Sequence, residues 1–499
     1  MKSLPGSDPI LDCAGAAAFE QERFGGDEEK EWPAMRAAGE ALAKAMLTDL
    51  RVAGVNPTRS GRVLVLVGKG HNGGDAMLAA VRLLAEANWS IEVGFVYGQN
   101  RLRHLAGAAW RELQSVSGSR TGRVRAIRLD TVAGHYVAVI DGVFGFQFRP
   151  PLKKPVLRWL AAANTVDAEL KCAVDLASGL DESGAFRADA IYATGIFKAP
   201  LKQCAGVSRL RYLDLGFFQE QVEGNERVLT PRVLDPLRKL RAVASDKRYY
   251  GQLAVIGGSR NYPGAVCMAV AAALQSGVGN VSAFVPESLA PAFAARWPEA
   301  MWMGCPETEE GSIAMEAGLM IRRHLKRCTA ILIGPGLGRE PETLALVADL
   351  IGEAKTPLIL DADALQPELV KLGSAPRILT PHQGEFARIT GVEKQQLSEL
   401  NWPVRTVTVL KGPVTRIVDG TMVYWGIEGG PMLARGGSGD MLAGLVGGRL
   451  AVDSSDLATA AAQGVVWHGM AAQRVAKCRG ETAVRTTEML GELNSVLRT

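Results

Sequence analysis

The chain has 499 residues, of which 47% are hydrophobic and 22% charged, and its 56 basic and 52 acidic side chains give a net charge of +4. This length exceeds one ordinary hydrophobic core and predicts two or more domains. The nearly balanced charge gives no basis for a nucleic-acid or anionic-membrane partner. No segment approaches the roughly 18 apolar residues of a membrane helix, and Met1 to Ile10 lack the apolar run of a signal peptide. We therefore expect a cytoplasmic protein.

The cysteines indicate a reducing compartment. Seven are scattered along the chain, and no two form a CxxC pair. An odd, unpatterned set is typical of free thiols and favours neither a disulfide framework nor a zinc site.

The first half begins with the pattern of a βαβ unit. An apolar run at residues 62–67 has the length of a strand and leads into the glycine-rich segment 68–74. A segment of helical character follows, and residues 91–97 have the pattern of the next strand. Two later apolar strands end in Asp141 and Asp175. Because ligands gather at the carboxyl ends of parallel strands, we expect both acids at a site.

A second α/β cycle follows an interdomain connection. Between residues 225 and 246, prolines and a basic run interrupt the pattern. A strand at 252–256 then precedes a glycine loop and an alanine-rich helix. Further strands are predicted at residues 281–285, 330–333, 358–360 and 406–410. The sequence therefore predicts an α/β protein with two domains, residues 1–228 and 229–499.

Four glycine-rich loops follow apolar strands, where a helix N-terminus could bind an anion through its unpaired N–H groups. Glycine lets the backbone approach a ligand closely and adopt positive φ. One such loop is explained by a tight turn alone, but four favour phosphate binding. None has the spacing of a Walker A loop. The loops are residues 68–74, 257–264, 334–338 and 436–439.

Asp440 follows the last of these loops at the predicted start of a helix. A carboxylate there could accept the proton of a substrate hydroxyl while the backbone N–H groups stabilise a transferring phosphoryl group. It could equally be an acid that stabilises the helix dipole. The segment alone leaves both interpretations open.

Several motifs together resemble those of a known family. Residues 230–499 resemble the bacterial NAD(P)H-hydrate dehydratases through Val255-Ile-Gly-Gly-Ser259, Gly334-Pro-Gly-Leu-Gly338, Leu360-Asp-Ala-Asp-Ala-Leu365, Leu379-Thr-Pro-His-Gln-Gly-Glu-Phe386 and Gly437-Ser-Gly-Asp440. The first half resembles the NAD(P)H-hydrate epimerases through Gly68-Lys-Gly-His-Asn-Gly-Gly-Asp75, Asp141-Gly-Val-Phe-Gly145 and Asp175-Leu-Ala-Ser-Gly-Leu-Asp181. The whole chain is thus similar to the bifunctional NAD(P)H-hydrate repair enzymes.

The resemblance implies a Rossmann-like three-layer domain followed by a ribokinase-like α/β domain. The implied dehydratase uses ADP or ATP with Mg²⁺ to phosphorylate the hydroxyl of hydrated NADH or NADPH, since phosphate leaves more readily than hydroxide. The implied epimerase interconverts the R- and S-hydrates and binds K⁺. The implied partners are these small molecules and the adenine nucleotide, and the expected assembly is a homo-oligomer.

In the second domain, the resemblance makes Asp440 the catalytic base that contacts the hydrate. Implied substrate contacts are Ala265, Gly336, Gly338 and His382, and implied nucleotide contacts are Lys411, Gly412, Pro413, Val414, Thr415 and Gly439. Asp361 and Asp363 could ligate Mg²⁺ or form turn-stabilising hydrogen bonds, and both alternatives stay open.

In the first domain, the resemblance makes Asn72, Asp141 and Ser178 the potassium ligands. Such oxygen donors suit a weakly hydrated cation better than they suit zinc. Asp175 is the implied catalytic acid, with a strand-end capping role as the alternative. The implied substrate contacts are His71, Asn72, Gly73, Gly74, Asp75, Gly145, Arg149 and Asp175.

Some residues depart from the family pattern. His71 replaces the usual Asn, Ala76 replaces a Gly, and residues 146–149 lack a second glycine. These changes predict an epimerase domain that is slow, altered in substrate or reduced to a binding module. A ribokinase-like small-molecule kinase with a non-catalytic first domain is the competing hypothesis, because Gly-Ser-Gly-Asp before a helix suits any hydroxyl phosphorylation.

Overall fold

The computed structural model describes residues 3–118, 122–204, 207–218, 223–241, 243, 246–391 and 402–498. The chain divides into two compact units. The N-terminal unit comprises Asp8–Glu223 and Ala476–Thr482, and the C-terminal unit comprises Met1–Ser7, Gly224–Val475 and Ala483–Thr499. Among the described residues, no helix has the length and apolar character needed to cross a membrane.

The N-terminal unit contains a parallel sheet with helices. Its elements are β1 (Ser7–Leu11), α1 (Cys13–Phe24), α2 (Glu28–Val52), β2 (Gly61–Val67), α3 (His71–Glu86), β3 (Trp89–Phe95), α4 (His104–Gly118), β4 (Val124–Ile127), β5 (His135–Tyr136), β6 (Ala138–Gly142), α5 (Lys154–Thr165), β7 (Asp167–Ala168), β8 (Lys171–Val174), β9 (Ala190–Thr194), β10 (Phe197–Lys198) and β11 (Arg209–Leu213).

The strand order of this sheet creates a crevice. Its strands lie in the order β11-β9-β8-β6-β2-β3-β4, and every neighbouring pair is parallel. Val63 to Val67 are all buried, as expected for a central strand covered on both faces. The chain moves from β2 outward to β3 and β4, and later returns to place β6 on the other side of β2. The connections after β2 and β6 therefore leave the same sheet edge and diverge.

The C-terminal unit repeats the α/β pattern on a larger scale. Its elements are β12 (Glu226–Leu229), β13 (Gln252–Ile256), α6 (Pro263–Gln275), β14 (Asn280–Pro286), α7 (Ala290–Arg296), β15 (Met301–Cys305), α8 (Gly318–Leu325), β16 (Ala330–Ile333), α9 (Pro341–Glu353), β17 (Leu358–Leu360), β18 (Arg377–Leu379), α10 (Gln383–Thr390), β19 (Thr406–Leu410), β20 (Thr415–Asp419), β21 (Met422–Gly426), α11 (Ser438–Val452), α12 (Leu457–Arg479) and α13 (Thr486–Leu497).

Its strands lie in the order β12-β21-β20-β19-β18-β17-β16-β13-β14-β15. The pairs from β15 to β19 are parallel, whereas β19, β20 and β21 form an antiparallel meander. The parallel strands are short apolar runs, and their connections contain helices. The predicted α/β class is confirmed in both units.

Helices α6 and α11 pack with their backbones in close approach. A Cβ on Gly444 would overlap the carbonyl oxygen of Ala269, and one on Gly448 would overlap the Ser276 hydroxyl. A Cβ on Gly448 would also lie 3.2 Å from the carbonyl oxygen of Ala273, so the turn from Gly444 to Gly448 on α11 runs beside the turn from Ala269 to Ala273 on α6, in the same direction. If the same register continues for one more turn towards the N-termini of α6 and α11, Ala265 in the first turn of α6 lies beside Asp440 in the first turn of α11.

We expect Gly444→Ala to lower the free energy of unfolding of the C-terminal unit by about 2 kcal/mol, because the added methyl group must displace backbone in a packed interface. Gly352→Ala is the matched control, since a Cβ there meets nothing within 4 Å and alanine favours a helix by up to about 1 kcal/mol. Differential scanning calorimetry measures both. Equal melting temperatures for the two variants would contradict the close approach of α6 and α11.

Candidate functional site

A cavity of about 410 Å³ lies in the N-terminal unit at the crevice between β2 and β6. Its walls include Lys69 to Asn72, which follow β2, and Val143 to Arg149, which follow β6. Loops that diverge at such a switch point commonly form a ligand site. A Cβ on Gly145 would lie 2.6 Å from Asn72 Oδ1, so the close approach of the two loops requires glycine there.

Most of the substrate contacts predicted for this unit line the cavity: His71, Asn72, Asp75, Gly145, Arg149 and Asp175. Gly73 and Gly74 are buried in the first turn of α3 instead. A Cβ on Gly73 would lie 2.9 Å from Val67 Cγ1, and one on Gly74 would lie 2.7 Å from Met35 Sδ. These two glycines therefore allow α3 to pack closely against β2 and α2.

The three predicted potassium ligands come together beside the cavity. The hydroxyl and the backbone N–H of Ser178 each donate to the Asp141 carboxylate at 2.7 Å. Asn72 Nδ2 donates to the carbonyl oxygens of Phe144 and Val174 at 2.9 and 2.8 Å. The backbone N–H of Phe144 donates to Ser178 Oγ at 2.9 Å. Both Asn72 donors are used, so its Oδ1 remains as an acceptor.

Asp141 is completely buried, and burial raises its pKa to about 6 although hydrogen bonds from Ser178 and Val143 lower it. Among the residues that the structure describes, no basic side chain forms an ion pair with Asp141. A buried carboxylate without a counter-charge is costly. The cluster of oxygen atoms therefore fits a bound monovalent cation.

Asp175 follows β8 with a backbone φ of +68°, in the left-handed region that residues with a Cβ rarely adopt. Its carboxylate accepts a hydrogen bond from the ammonium of Lys198, which also donates to the Thr194 carbonyl at 3.3 Å. Both side chains are nearly inaccessible to solvent. The Lys198 ammonium lies 5.2 Å from the centre of the Phe146 ring. A buried ion pair therefore faces the cavity.

The second site forms where α11 begins. Gly437 adopts φ +81°, and the helix starts at Ser438, so Asp440 lies in the first turn. N–H groups of a first helical turn lack helical acceptors and can bind an anion. Lys411, between β19 and β20, reaches the same turn, since a Cβ on Gly439 would lie 3.2 Å from Lys411 Nζ.

Charges in this site are coupled. Lys411 Nζ donates to Asp361 Oδ1 at 2.9 Å, and Thr380 Oγ1 donates to the same oxygen at 2.7 Å. Burial lowers the pKa of Lys411, but the carboxylates of Asp361, Glu385 and Asp440 outweigh burial and raise it overall. Burial and then Asp361 raise the pKa of Asp440 to about 6, although Lys411 opposes them. Lys411 therefore carries a firmly held positive charge beside Asp440.

The loop at residues 334–338 holds two predicted substrate contacts. Gly336 adopts φ +63°, and a Cβ there would lie 3.0 Å from Ala265 Cβ. Asp363 accepts hydrogen bonds from the Gly338 N–H at 3.1 Å and from Arg339 Nε at 2.9 Å. These hydrogen bonds join Asp363 to the end of the loop, and they do not decide whether Asp363 also binds Mg²⁺. Because Gly336 contacts Ala265, the loop lies against the first turn of α6.

The predicted nucleotide loop, residues 411–415, joins β19 to β20 and lies beside the segment of His382. The Lys411 N–H donates to the Pro381 carbonyl at 2.8 Å. His382 is the N-cap of α10: its Nδ1 accepts from the N–H groups of Gly384 and Glu385 at 3.0 and 3.3 Å. The Glu385 carboxylate accepts from the His382 N–H at 2.7 Å, which completes a capping box.

Sequence reasoning missed a second histidine in this unit. His468 on α12 is buried, and its Nε2 lies 3.4 Å from Ser438 Oγ at the start of α11. Burial and then Lys411 lower its pKa to about 4. The imidazole is therefore neutral at pH 7 and packs behind the glycine loop.

Known proteins match both units. A family model described as NAD(P)H-hydrate dehydratase matches residues 253–494, and one described as YjeF-related protein N-terminus matches residues 33–200. The bifunctional NAD(P)H-hydrate repair enzyme Nnr of Gloeobacter violaceus is 36% identical over 473 residues, which is 89% of either chain. The protein of that name from Moorella thermoacetica is 32% identical over 88% of this chain and 87% of its own.

This chain belongs to the bifunctional NAD(P)H-hydrate repair enzymes. A shorter relative covers only the second half: the ADP-dependent (S)-NAD(P)H-hydrate dehydratase of Xanthomonas campestris is 34% identical over 267 residues, 52% of this chain and 92% of that protein. The predicted family is confirmed over nearly the whole sequence.

The departures from the family pattern are accommodated in the structure. His71, which stands where these enzymes usually have asparagine, lies with its Nε2 3.2 Å from Glu31 at the acidic start of α2. In the loop that lacks a second glycine, the rings of Phe144 and Phe148 pack with centroids 4.8 Å apart. The altered loop thus gives the cavity an aromatic wall.

Lys198 and Glu20 are two further charged residues of the cavity that sequence reasoning missed. The sequence contained a signal for Lys198, which directly follows the apolar residues Ile196 and Phe197. A lysine in such a buried strand requires a partner of opposite charge. Glu20 carries no comparable signal, since an acid in a helix is usually exposed.

We expect His382→Ala to lower the free energy of unfolding by about 1 kcal/mol through loss of the N-cap. His382→Asn should restore most of that loss, because asparagine caps helices well. Urea unfolding measures both changes. If His382→Asn is as unstable as His382→Ala, capping is not what the imidazole contributes to stability.

Proposed function

We propose that this chain repairs hydrated NADH and NADPH by two activities. Residues 229–499 dehydrate the S-hydrate with ADP or ATP as phosphate donor, and residues 1–228 interconvert the R- and S-hydrates. Membership of the bifunctional repair family supports both activities, and the printed name of the Xanthomonas relative supports ADP. One observation carries the dehydratase proposal: Asp440, Lys411 and the backbone N–H groups of Gly437 and Gly439 meet at the first turn of α11.

In the proposed dehydratase reaction, Asp440 accepts the proton of the substrate hydroxyl as its oxygen attacks the terminal phosphorus of the nucleotide. The bond between that phosphorus and the bridging oxygen breaks, and Lys411 with the N–H groups of Gly437 and Gly439 offsets the developing negative charge. The ring nitrogen then supplies the electrons that expel phosphate from the phosphorylated hydrate, and the ring carbon next to the reacting carbon releases a proton, which restores the double bond of the reduced nicotinamide. Gly336 packs on Ala265, and the register of α6 along α11 brings Ala265 towards Asp440, which supports their proposed role as substrate contacts.

We propose that Mg²⁺ enters with the nucleotide and supplies further charge neutralisation. The carboxylates of the C-terminal unit do not form a dedicated cage: Asp361 is engaged by Lys411 and Thr380, and Asp363 by Gly338 and Arg339. Across the described ranges, no group of three or more His, Cys, Asp or Glu side chains could hold a metal. Nucleotide phosphates and water would thus complete the coordination.

In the N-terminal unit, we propose that Asn72 Oδ1, the Asp141 carboxylate and Ser178 Oγ hold K⁺. Their positions would fix the loops after β2 and β6 on both sides of the cavity. Asp175 is the proposed catalytic acid of this site, held in place by Lys198. His71, Asp75, Gly145 and Arg149, which line the same cavity, are the proposed substrate contacts.

We further propose that the enzyme is a cytoplasmic homo-oligomer. Met301, Met315 and Leu319 are large apolar side chains with 42%, 38% and 60% of their surface exposed in the C-terminal unit. Such surface is typical of a contact between subunits.

We expect Asp440→Asn to abolish the return of reduced-nicotinamide absorbance when S-hydrate, ADP or ATP and Mg²⁺ are supplied. Loss of the base should lower kcat by at least about 100-fold. Asp453→Asn, at the opposite end of α11, is the control and should remain active. Because the base must be ionised, wild-type kcat/KM should rise with pH through about 6 and then level off.

Near-normal turnover of Asp440→Asn would remove the catalytic assignment. Phosphorylation of a thiazole or pyrimidine alcohol, with no recovery of reduced nicotinamide by the wild type, would favour the competing kinase hypothesis.

We expect KCl, compared with choline chloride at equal ionic strength, to raise the melting temperature of the N-terminal unit at pH 8 more than at pH 4. The pKa of Asp141 in the folded protein, about 6, exceeds the value of about 3.9 for an unfolded aspartate. Ionisation therefore removes stability as pH rises through this window, and a bound cation offsets that loss. Asp141→Asn should abolish the difference between the salts; an equal KCl effect in that variant would exclude this site.

A further inference from the structure

A second acid faces the N-terminal cavity from a different element. Glu20 on α1 lines both the main cavity and an adjoining one of about 90 Å³, and His71, Asp75 and Thr194 line the same two cavities. Glu20 is half-buried. In the part of the chain that the structure describes, its carboxylate forms no hydrogen bond and no ion pair. This carboxylate therefore lies between the two cavities with its oxygen atoms available to a ligand.

Charged groups surround Glu20 on several sides. Lys198 and Asp175 face it across the main cavity, Glu31 on α2 faces it from the smaller cavity, and Asp75 acts on it from the first turn of α3. Burial raises the pKa of Glu20 to about 7; Asp175 and Glu31 add to this and Lys198 opposes it. The acidic and basic forms are thus both well populated at neutral pH, so one group can take up and return a proton.

The other carboxyl groups of the cavity are less suited to carrying a proton in both directions. Asp175 is engaged by the Lys198 ammonium, and Asp141 by both Ser178 donors. Burial, with contributions from Asp175 and Glu20, raises the pKa of Asp75 well above its ordinary value. This direction favours the neutral form of Asp75, which donates a hydrogen bond, over the ionised form, which acts as a base.

We infer that Glu20, in place of Asp175, is the proton-transfer residue of the epimerase site, while Asp175 and Lys198 position the hydrate; this inference rests on the proposed epimerase function. The Glu20 carboxylate removes the proton of the ring hydroxyl. The oxygen electrons form a carbonyl bond as the adjacent carbon–nitrogen bond breaks, and its electron pair moves to the ring nitrogen. Glu20 returns the same proton to that nitrogen. Rotation and the reverse sequence close the ring on the opposite face, with no net change in atoms or oxidation state.

The test uses the full-length enzyme and purified R-hydrate, with the spontaneous epimerisation rate subtracted. Glu20→Gln should lower kcat for conversion of R- to S-hydrate by about 100-fold or more, with KM little changed. Glu22→Gln is the matched control, because Glu22 lies on the same helix and is exposed, and it should retain the wild-type rate. Recovery of NADH from S-hydrate, which takes place in the other unit, should be equal in all three proteins.

The pH profile separates proton transfer from a structural role. Wild-type kcat/KM for epimerisation should change slope near pH 7. Glu20→Asp keeps a carboxyl group and should retain this dependence at a reduced rate, whereas the residual rate of Glu20→Gln should lack it. A melting temperature of the N-terminal unit equal to that of wild type shows that Glu20→Gln is folded.

Three results would overturn the inference. The first is a Glu20→Gln variant as active as Glu22→Gln with the wild-type pH profile, and the second is an effect on KM alone, which would make Glu20 a binding residue. The third is a wild-type protein that does not epimerise the hydrate, which would also overturn the proposed function of this unit. The first two leave that proposed function intact.

Discussion

The close approach of α6 and α11 determines the geometry of the C-terminal site. Gly444 and Gly448 let the two backbones approach so closely that neither position has room for a side chain. The first turns of both helices are thereby brought to one edge of the sheet. The N–H groups of α11 and the loop at residues 334–338, which packs on Ala265, then bound the same space. A wider separation of the helices would move Asp440 away from that loop.

Buried charge is the second constraint on the two sites. In each unit, a lysine balances the charge of a buried aspartate. Lys411 pairs with Asp361 in one unit, and Lys198 pairs with Asp175 in the other. Removing one partner of such a pair leaves an uncompensated charge and costs about 3–5 kcal/mol. These pairs therefore restrict which substitutions the sites tolerate. Burial raises the pKa values of the neighbouring acids Asp440 and Glu20, for which the described part of the chain supplies no ion-pair partner.

Two features by which the N-terminal unit departs from the family pattern, His71 and the acidic start of α2, contact each other through Glu31. Without its second glycine, the loop after Gly145 carries aromatic rings that pack on one another along the cavity. The proposed potassium ligands Asn72, Asp141 and Ser178 lie together beside this loop.

The α/β class, the central strands of both domains and the family could be predicted from the sequence, because apolar strands followed by glycine loops are local patterns. Asp440, Lys411 and the oxygen donors of the first domain could be named as candidates, since each stands within a short motif. The sequence could not identify Glu20 or His468, which lie on helices distant in sequence from the motifs that they face. Nor could it separate the glycines that line a cavity from Gly73 and Gly74, which pack α3. These points require the folded structure, because burial and the proximity of charges depend on contacts between remote segments.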